Sequence, residues 1–213
     1  MIIVHHLAIS QSERIVWLCE ELGLDYELIR YARDPETNGA PAAYKALHAF
    51  GTAPVIVDGD LVLGESGAII DYLIARHGHG RYAVNPEAPN YPEYVYWYHF
   101  ANSSLMPATM IDMVLQKVAP DRSPALKGSF LARADLAWDL IERRLNEAAY
   151  LAGPDLTAAD IMTVFSLTRM RLFCPRAMAP YPAIRAYLRR IGARPSYQRA
   201  MGKAEPGVPP LLD

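Results

Sequence analysis

Cysteine is scarce in this chain: its 213 residues hold two, Cys19 and Cys174, far apart and in no C-x-x-C pair. That gives no sign of a structural zinc site and fits a reducing compartment. Charge of one sign is lacking as well. Lys and Arg number 21 against 23 Asp and Glu, a net charge of -2, and the basic residues are scattered. Such a balance offers no electrostatic footprint for nucleic acid or an anionic membrane. No apolar run reaches the roughly 18 residues of a membrane span, and the opening "MIIVHHLAIS" has neither a basic start nor a cleavage site. The expectation is a cytoplasmic protein with no membrane and no nucleic-acid partner. What is abundant is hydrophobic residue, 52% of the chain, enough for one large or two small cores.

The apolar pattern divides the chain into two kinds of structure. Residues 2–7 read as a buried strand, and Ile15, Leu18, Cys19 and Leu22 then follow helical spacing until Gly23 stops it. "YELIRY" (26–31) is a second strand, so the opening is β-α-β with parallel strands. A polar loop, a short helix at "AAYKALHAF" and two apolar runs around Asp58-Gly59 come next, the last a hairpin signal. A helix from Ser66 to about His77 completes the order β-α-β-α-β-β-α. Residues 79–91 are rich in proline and read as a linker; after them only helical patterns recur, and 206–213 form an irregular tail. The expected domains are 1–78, α/β, and 92–205, all-α.

Ser10-Gln11-Ser12-Glu13 has the composition of a capping box, with Ser10 accepting from the amide of Glu13. The same helix start presents unpaired amides and a positive dipole end to an anion. These residues leave Ser10 two roles, cap or holder of a reactive atom. Thr157-Ala158-Ala159-Asp160 repeats the box pattern at a later helix, where it reads as structural. Cys19 falls on the apolar stripe of the first helix and reads as buried and inert. His5-His6 lies in a strand, one ring inward and one outward, with no nearby acid to complete a triad or a metal site. His77-Gly78-His79 is too short a pattern for zinc, and the expectation is no metal.

Four segments, "SQSERIVWLCEELGLDYEL", "HAFGTAPVIVDGD", "LGESGAIIDYL" and "LTAADIMTVF", appear in this order, and with the α/β unit ahead of a helical one the chain resembles the glutathione S-transferase family. The α/β unit looks like a thioredoxin-type domain. The likeness is nearest to bacterial and fungal members that use a serine near the N-terminus. It implies glutathione as co-substrate, an electrophilic small molecule as second substrate, no metal, and a homodimer. Ser10, four residues before Arg14, is the implied donor to the glutathione sulfur, with Ser12 as second choice. Ala53 would pair through its backbone with the cysteinyl part of glutathione, ahead of a cis Ala53-Pro54 peptide. Glu65 would meet the glutamyl ammonium, and Ser66, which also reads as a plain helix cap, the glutamyl carboxylate. Tyr94, Tyr98, Asn102 and Met106 recur every four residues and would line the apolar pocket.

Two departures stand out. Relatives often carry Arg at position 11 and Lys or another base at position 52, near the glycyl carboxylate; this chain has Gln11 and Thr52, with Lys45 and His48 upstream as compensating candidates. The departures keep a rival alive, a non-catalytic glutathione-binding or protein-interaction module on the same fold. Thiol-disulfide exchange is the weakest reading, because Ile9, Ser10, Gln11 and Ser12 include no cysteine.

Overall fold

In the computed structural model, which describes residues 1–118 and 124–213, the first compact unit comprises residues 1–82 and 191–210. Its opening strand β1 (Ile2–Leu7) is nearly continuous in apolar and buried residues. Helix α1 (Glu13–Leu22) follows and buries Ile15, Val16, Leu18 and Cys19 completely. Gly23, at φ 65°, ends it: the Gly23 amide donates to Glu20 and the Leu24 amide to Cys19, a closure that needs a left-handed residue. Strand β2 (Tyr26–Tyr31) runs parallel to β1, with Ile2 opposite Tyr26 and Leu7 opposite Tyr31. After the short α2 (Ala42–Lys45), β3 (Val55–Asp58) and β4 (Leu61–Gly64) form the hairpin, and α3 (Ser66–Arg76) follows. The mixed sheet has the order β2-β1-β3-β4, with β3 antiparallel to both neighbours. This is the expected thioredoxin-like order.

The second unit, residues 83–190 and 211–213, is helical. Helix α4 (Tyr91–Phe100) passes through a π-helical turn, Ala101–Leu105, into α5 (Met106–Val118). Then come α6 (Pro124–Glu147), α7 (Ala158–Leu167), a 3-10 turn at Arg169–Leu172 and α8 (Pro182–Gly192). Every residue of α7 is buried. Its first turn is fixed by Asp160, whose Oδ2 accepts from the Thr157 amide (2.9 Å) and hydroxyl (3.2 Å). Oδ1 of the same carboxyl accepts from the Leu151 amide (3.0 Å) and the Tyr187 hydroxyl (3.0 Å). The box at 157–160 is therefore structural, and it also ties the chain before α7 and α8 to one carboxyl. Among the described residues no helix is long and apolar enough to cross a membrane.

The last helix, α9 (Pro195–Ala204), departs from the expected domain limits, because residues 191–210 group with the first unit. The reason lies on one side of α1. Tyr197 meets Trp17 edge to face at 5.0 Å, and Arg194 (2.7 and 2.8 Å) and Ser196 (2.6 Å) both donate to the Glu21 carboxylate. Arg199 (2.9 Å) and Lys203 (2.5 Å) donate to Glu20. An aromatic pair and two carboxylates of α1 thus hold a helix that lies about 180 residues on in the chain.

Candidate functional site

The start of α1 differs from the capping box read in the sequence. Ser12 flanks the helix in a helical conformation, φ -66° and ψ -17°, so it cannot aim its hydroxyl at a first-turn amide as an extended N-cap does. Backbone carbonyls close that turn instead: Ser10 O accepts from Glu13 N, Gln11 O from Arg14 N, and Ser12 O from Ile15 N. Ser10 Oγ turns back to donate to Leu7 O (2.7 Å) and lies 2.7 Å from Ser12 Oγ. Just before it, Ile9 sits at φ 47°, a strained conformation for a β-branched residue. It is held on both sides, by its amide to Glu205 Oε1 and by Arg33 Nη2 donating to its carbonyl (2.7 Å).

Both strand histidines are buried, so the expectation of one ring in and one out is corrected. His5 Nδ1 bonds the Tyr31 hydroxyl (3.0 Å) on one face of the sheet. On the other face His6 places Nδ1 2.8 Å from Ser12 Oγ and Nε2 2.9 Å from Glu205 Oε1. The acid missing from the neighbouring sequence is supplied by the residue after α9. This run of Ser10, Ser12, His6 and Glu205 was beyond sequence reasoning, since His6 and Glu205 lie 199 positions apart.

At α3 the flanking residue is Glu65, not Ser66. Glu65 has φ 70°, the turn that brings β4 into the helix, and its side chain is exposed, whereas Ser66 is buried inside the first turn. Arg14 joins the two helix starts, its Nη1 donating to Gln11 Oε1 (2.6 Å) and to Ser66 Oγ (3.4 Å). That bridge was also missed in the sequence, although a buried arginine one turn into a helix is the kind of residue that must find acceptors. The Ala53-Pro54 peptide is cis, Thr52 is exposed, and Ala53 is half-buried. Gly51, at φ 68°, lies against Lys45: a Cβ built there would be 3.6 Å from Lys45 Cβ and Cγ. His48 packs over Gly64, next to Glu65, where an added Cβ would approach its ring to 3.2 Å.

Burial pushes the Cys19 thiol up to about 12 and, with the Asp112 carboxylate beside it, Cys174 up to about 11, so both stay protonated and unreactive near neutral pH. His77 Nε2 pairs with Asp58 Oδ2 at 2.7 Å. Among the described residues no three His, Cys, Asp or Glu side chains are placed to hold a metal. Of the pocket candidates, Tyr94 and Tyr98 stack at 5.7 Å and are buried, and Asn102 is half-buried in the π-helical turn. Met106 is buried against Phe165 and Met170 in the helical core. The π-helical turn breaks the fourfold spacing that joined Asn102 and Met106 to the two tyrosines.

Residues 10–76 match the glutathione S-transferase N-terminal domain, and residues 111–199 match the glutathione S-transferase C-terminal domain. Over 96% of its length the chain is 31% identical to glutathione S-transferase 3 of Schizosaccharomyces pombe, covering 88% of that protein. A crystal structure of a glutathione S-transferase from Actinobacillus pleuropneumoniae superposes with a TM-score of 0.88 at 36% identity, over 96% of this chain and 93% of that one. A theta class glutathione S-transferase of Xanthomonas axonopodis pv. citri, crystallised with glutathione bound, is 26% identical with a TM-score of 0.71, over 93% and 96%. With both domains matched, and relatives similar along nearly the whole chain, this protein belongs to the glutathione S-transferase family.

Proposed function

We propose that this chain is a serine-type glutathione transferase: the Ser10 hydroxyl donates to the glutathione sulfur and holds it as a thiolate for attack on an electrophilic carbon of a mostly apolar small molecule. One observation carries the choice of serine. Ser12 is fully buried with its hydroxyl beside His6, whereas Ser10 keeps 7% exposure and turns its hydroxyl to a backbone carbonyl that a ligand can replace. A free thiol, of pKa about 8.5, is about 3% ionised at neutral pH, and lowering that value by two units takes about 2.7 kcal/mol. One hydroxyl donor together with the positive end of α1 supplies energy of that order.

The rest of the ligand finds matching groups. The backbone of Ala53, beside the cis Pro54, suits the cysteinyl amide, the exposed Glu65 suits the glutamyl ammonium, and Ser66 with the amides of the first turn of α3 suits the glutamyl carboxylate. Gln11 and Thr52 are neutral, and Lys45, whose stem lies beside Gly51, offers a positive charge for the glycyl end. The protein works as a two-fold homodimer in the cytoplasm. Phe50, 74% exposed, supports the association, and two unpaired, buried cysteines support the compartment.

The neutral Gln11, whose amide oxygen already receives Arg14, favours a second reading as a glutathione-binding module without turnover. Retention on immobilised glutathione followed by a panel of electrophiles separates the two. Retention with conjugation of at least one electrophile supports the enzyme; retention without any turnover supports the module; no retention contradicts both.

A further inference from the structure

Behind Ser10 runs a continuous buried chain of polar groups that a helix start does not need. Ser10 Oγ lies 2.7 Å from Ser12 Oγ, Ser12 Oγ 2.8 Å from His6 Nδ1, and His6 Nε2 2.9 Å from Glu205 Oε1. Ser12 and His6 are essentially inaccessible to solvent. The directions of these bonds follow from the partners. Glu205 Oε1 also accepts the Ile9 amide, so it acts as a carboxylate that only accepts, and His6 Nε2 carries the hydrogen. In neutral imidazole Nδ1 is then an acceptor, and Ser12 donates to it. Ser12 Oγ accepts the Leu7 amide (3.1 Å), leaving a lone pair toward Ser10. Ser10 Oγ has one hydrogen and two acceptors in reach, Leu7 O (2.7 Å) and Ser12 Oγ (2.7 Å), and accepts the Ser12 amide (3.3 Å). When that hydrogen turns from Leu7 O to Ser12, the whole chain points inward, from Ser10 to His6, and the remaining lone pair of Ser10 Oγ is free to accept.

We infer that His6, oriented by Glu205, is the acceptor of the glutathione thiol proton, which reaches it through Ser10 and Ser12. The inference rests on the role proposed above for Ser10. The thiol gives its proton to Ser10 Oγ, Ser10 passes its own to Ser12, and Ser12 passes its own to His6 Nδ1. No electron changes hands: sulfur gains one negative charge, His6 one positive charge, and Glu205 stays ionised opposite Nε2. Every bond of the chain has then reversed, so that His6 donates to Ser12, Ser12 to Ser10, and Ser10 to the thiolate. One proton shift therefore both creates the anion and turns the donor toward it. After the sulfur is alkylated, the proton leaves by the same hydroxyls to the leaving group or solvent. A serine alone is no base at neutral pH, whereas imidazole, with a pKa of about 6.5, is. Of the charged groups, Glu205 bonds His6 directly, Arg33 feels Glu205, and Arg30 is the register partner of His6 on β2. Ser12, His6 and Glu205 are positioning residues, since only Ser10 meets the ligand.

Proton counting tests this on the intact protein. Calorimetry in buffers of different ionisation enthalpy gives the protons released as glutathione binds, and ultraviolet absorbance gives the thiolate formed. The relay predicts thiolate without proton release, because the proton stays on His6. Release of one proton per thiolate overturns it. In His6→Asn, thiolate formation should release its proton, and the ionisation of bound glutathione should move up by about one pH unit. Glu205→Gln should move it in the same direction by less. A purely structural role would lower the melting temperature and leave the proton count as in the wild type, which also overturns the relay. The wild-type count needs no variant, so it decides even where His6→Asn does not fold. Ser10→Ala keeps the two ideas apart. If it leaves the sulfur titration unmoved, the Ser10 assignment falls and the relay with it; if it moves the titration while the wild type still releases one proton, only the relay falls.

Discussion

At position 52 a hydroxyl stands beside the segment that carries the cis Ala53-Pro54 peptide, and it is exposed. An ammonium there would meet the glycyl carboxylate of glutathione with a charge-assisted bond, so Thr52→Lys should tighten binding by up to about ten-fold. Titration calorimetry reads this directly; equal or weaker affinity in a folded variant would show that Lys45 or another group already holds that end. Much at this scale was legible before the fold was known. The cis Ala53-Pro54 peptide and a helix start at about residue 66 were legible from the motifs that carry the family resemblance, and the burial of Cys19 from its position on an apolar stripe. The Ser10 to Glu13 box was misread because composition does not reveal that Ser12 takes a helical conformation. His6 and Arg14 were missed because their partners, Glu205 and Ser66, come from other elements.

Among the elements, α7 is fixed by one carboxylate, Asp160, and α9 by two, Glu20 and Glu21. Asp160 is fully buried and accepts four hydrogen bonds; burial raises its pKa even so. Asp160→Ala strands the donors of Leu151, Thr157 and Tyr187, so it should cost about 3 kcal/mol or more, above the 0.5–2 kcal/mol or so of an ordinary cap. Denaturant titration measures it, and an unchanged midpoint would contradict the assignment. Glu21 behaves oppositely. Although burial works against ionisation, its bonds to Arg194, Ser196, Trp17 and Tyr82 hold its carboxyl down at about 2, against an ordinary 4.5. A depressed folded pKa gives stability that is complete above the unfolded value and is lost as pH falls through 4.5 toward about 2. The wild type should therefore lose roughly 3 kcal/mol more than Glu21→Gln over that window. Parallel acid-stability curves for the two proteins would contradict it. Helical and strand periods made each of these elements legible; which unit α9 joins was not, because Tyr197 and Arg194 look like any helix surface until Trp17 and Glu21 face them.

For the molecule as a whole, the order of strands and helices followed from local pattern alone, and the mixed β2-β1-β3-β4 sheet agrees with it. Association is a separate matter. Light scattering at micromolar concentration should give twice the chain mass of 23.7 kDa, and a value of one chain mass would contradict the homodimer. The central claim is that this fold brings one hydroxyl, that of Ser10, to glutathione sulfur. Its most direct measurement is the ultraviolet titration of thiolate in bound glutathione, wild type beside Ser10→Ala, with a melting curve for each. The account predicts that the variant still binds glutathione but ionises it about one pH unit or more higher, so that turnover at about pH 6.5 falls at least ten-fold and turnover near pH 9 falls less. A titration that does not move, alongside a lowered melting temperature, would contradict it and leave Ser10 as a structural residue.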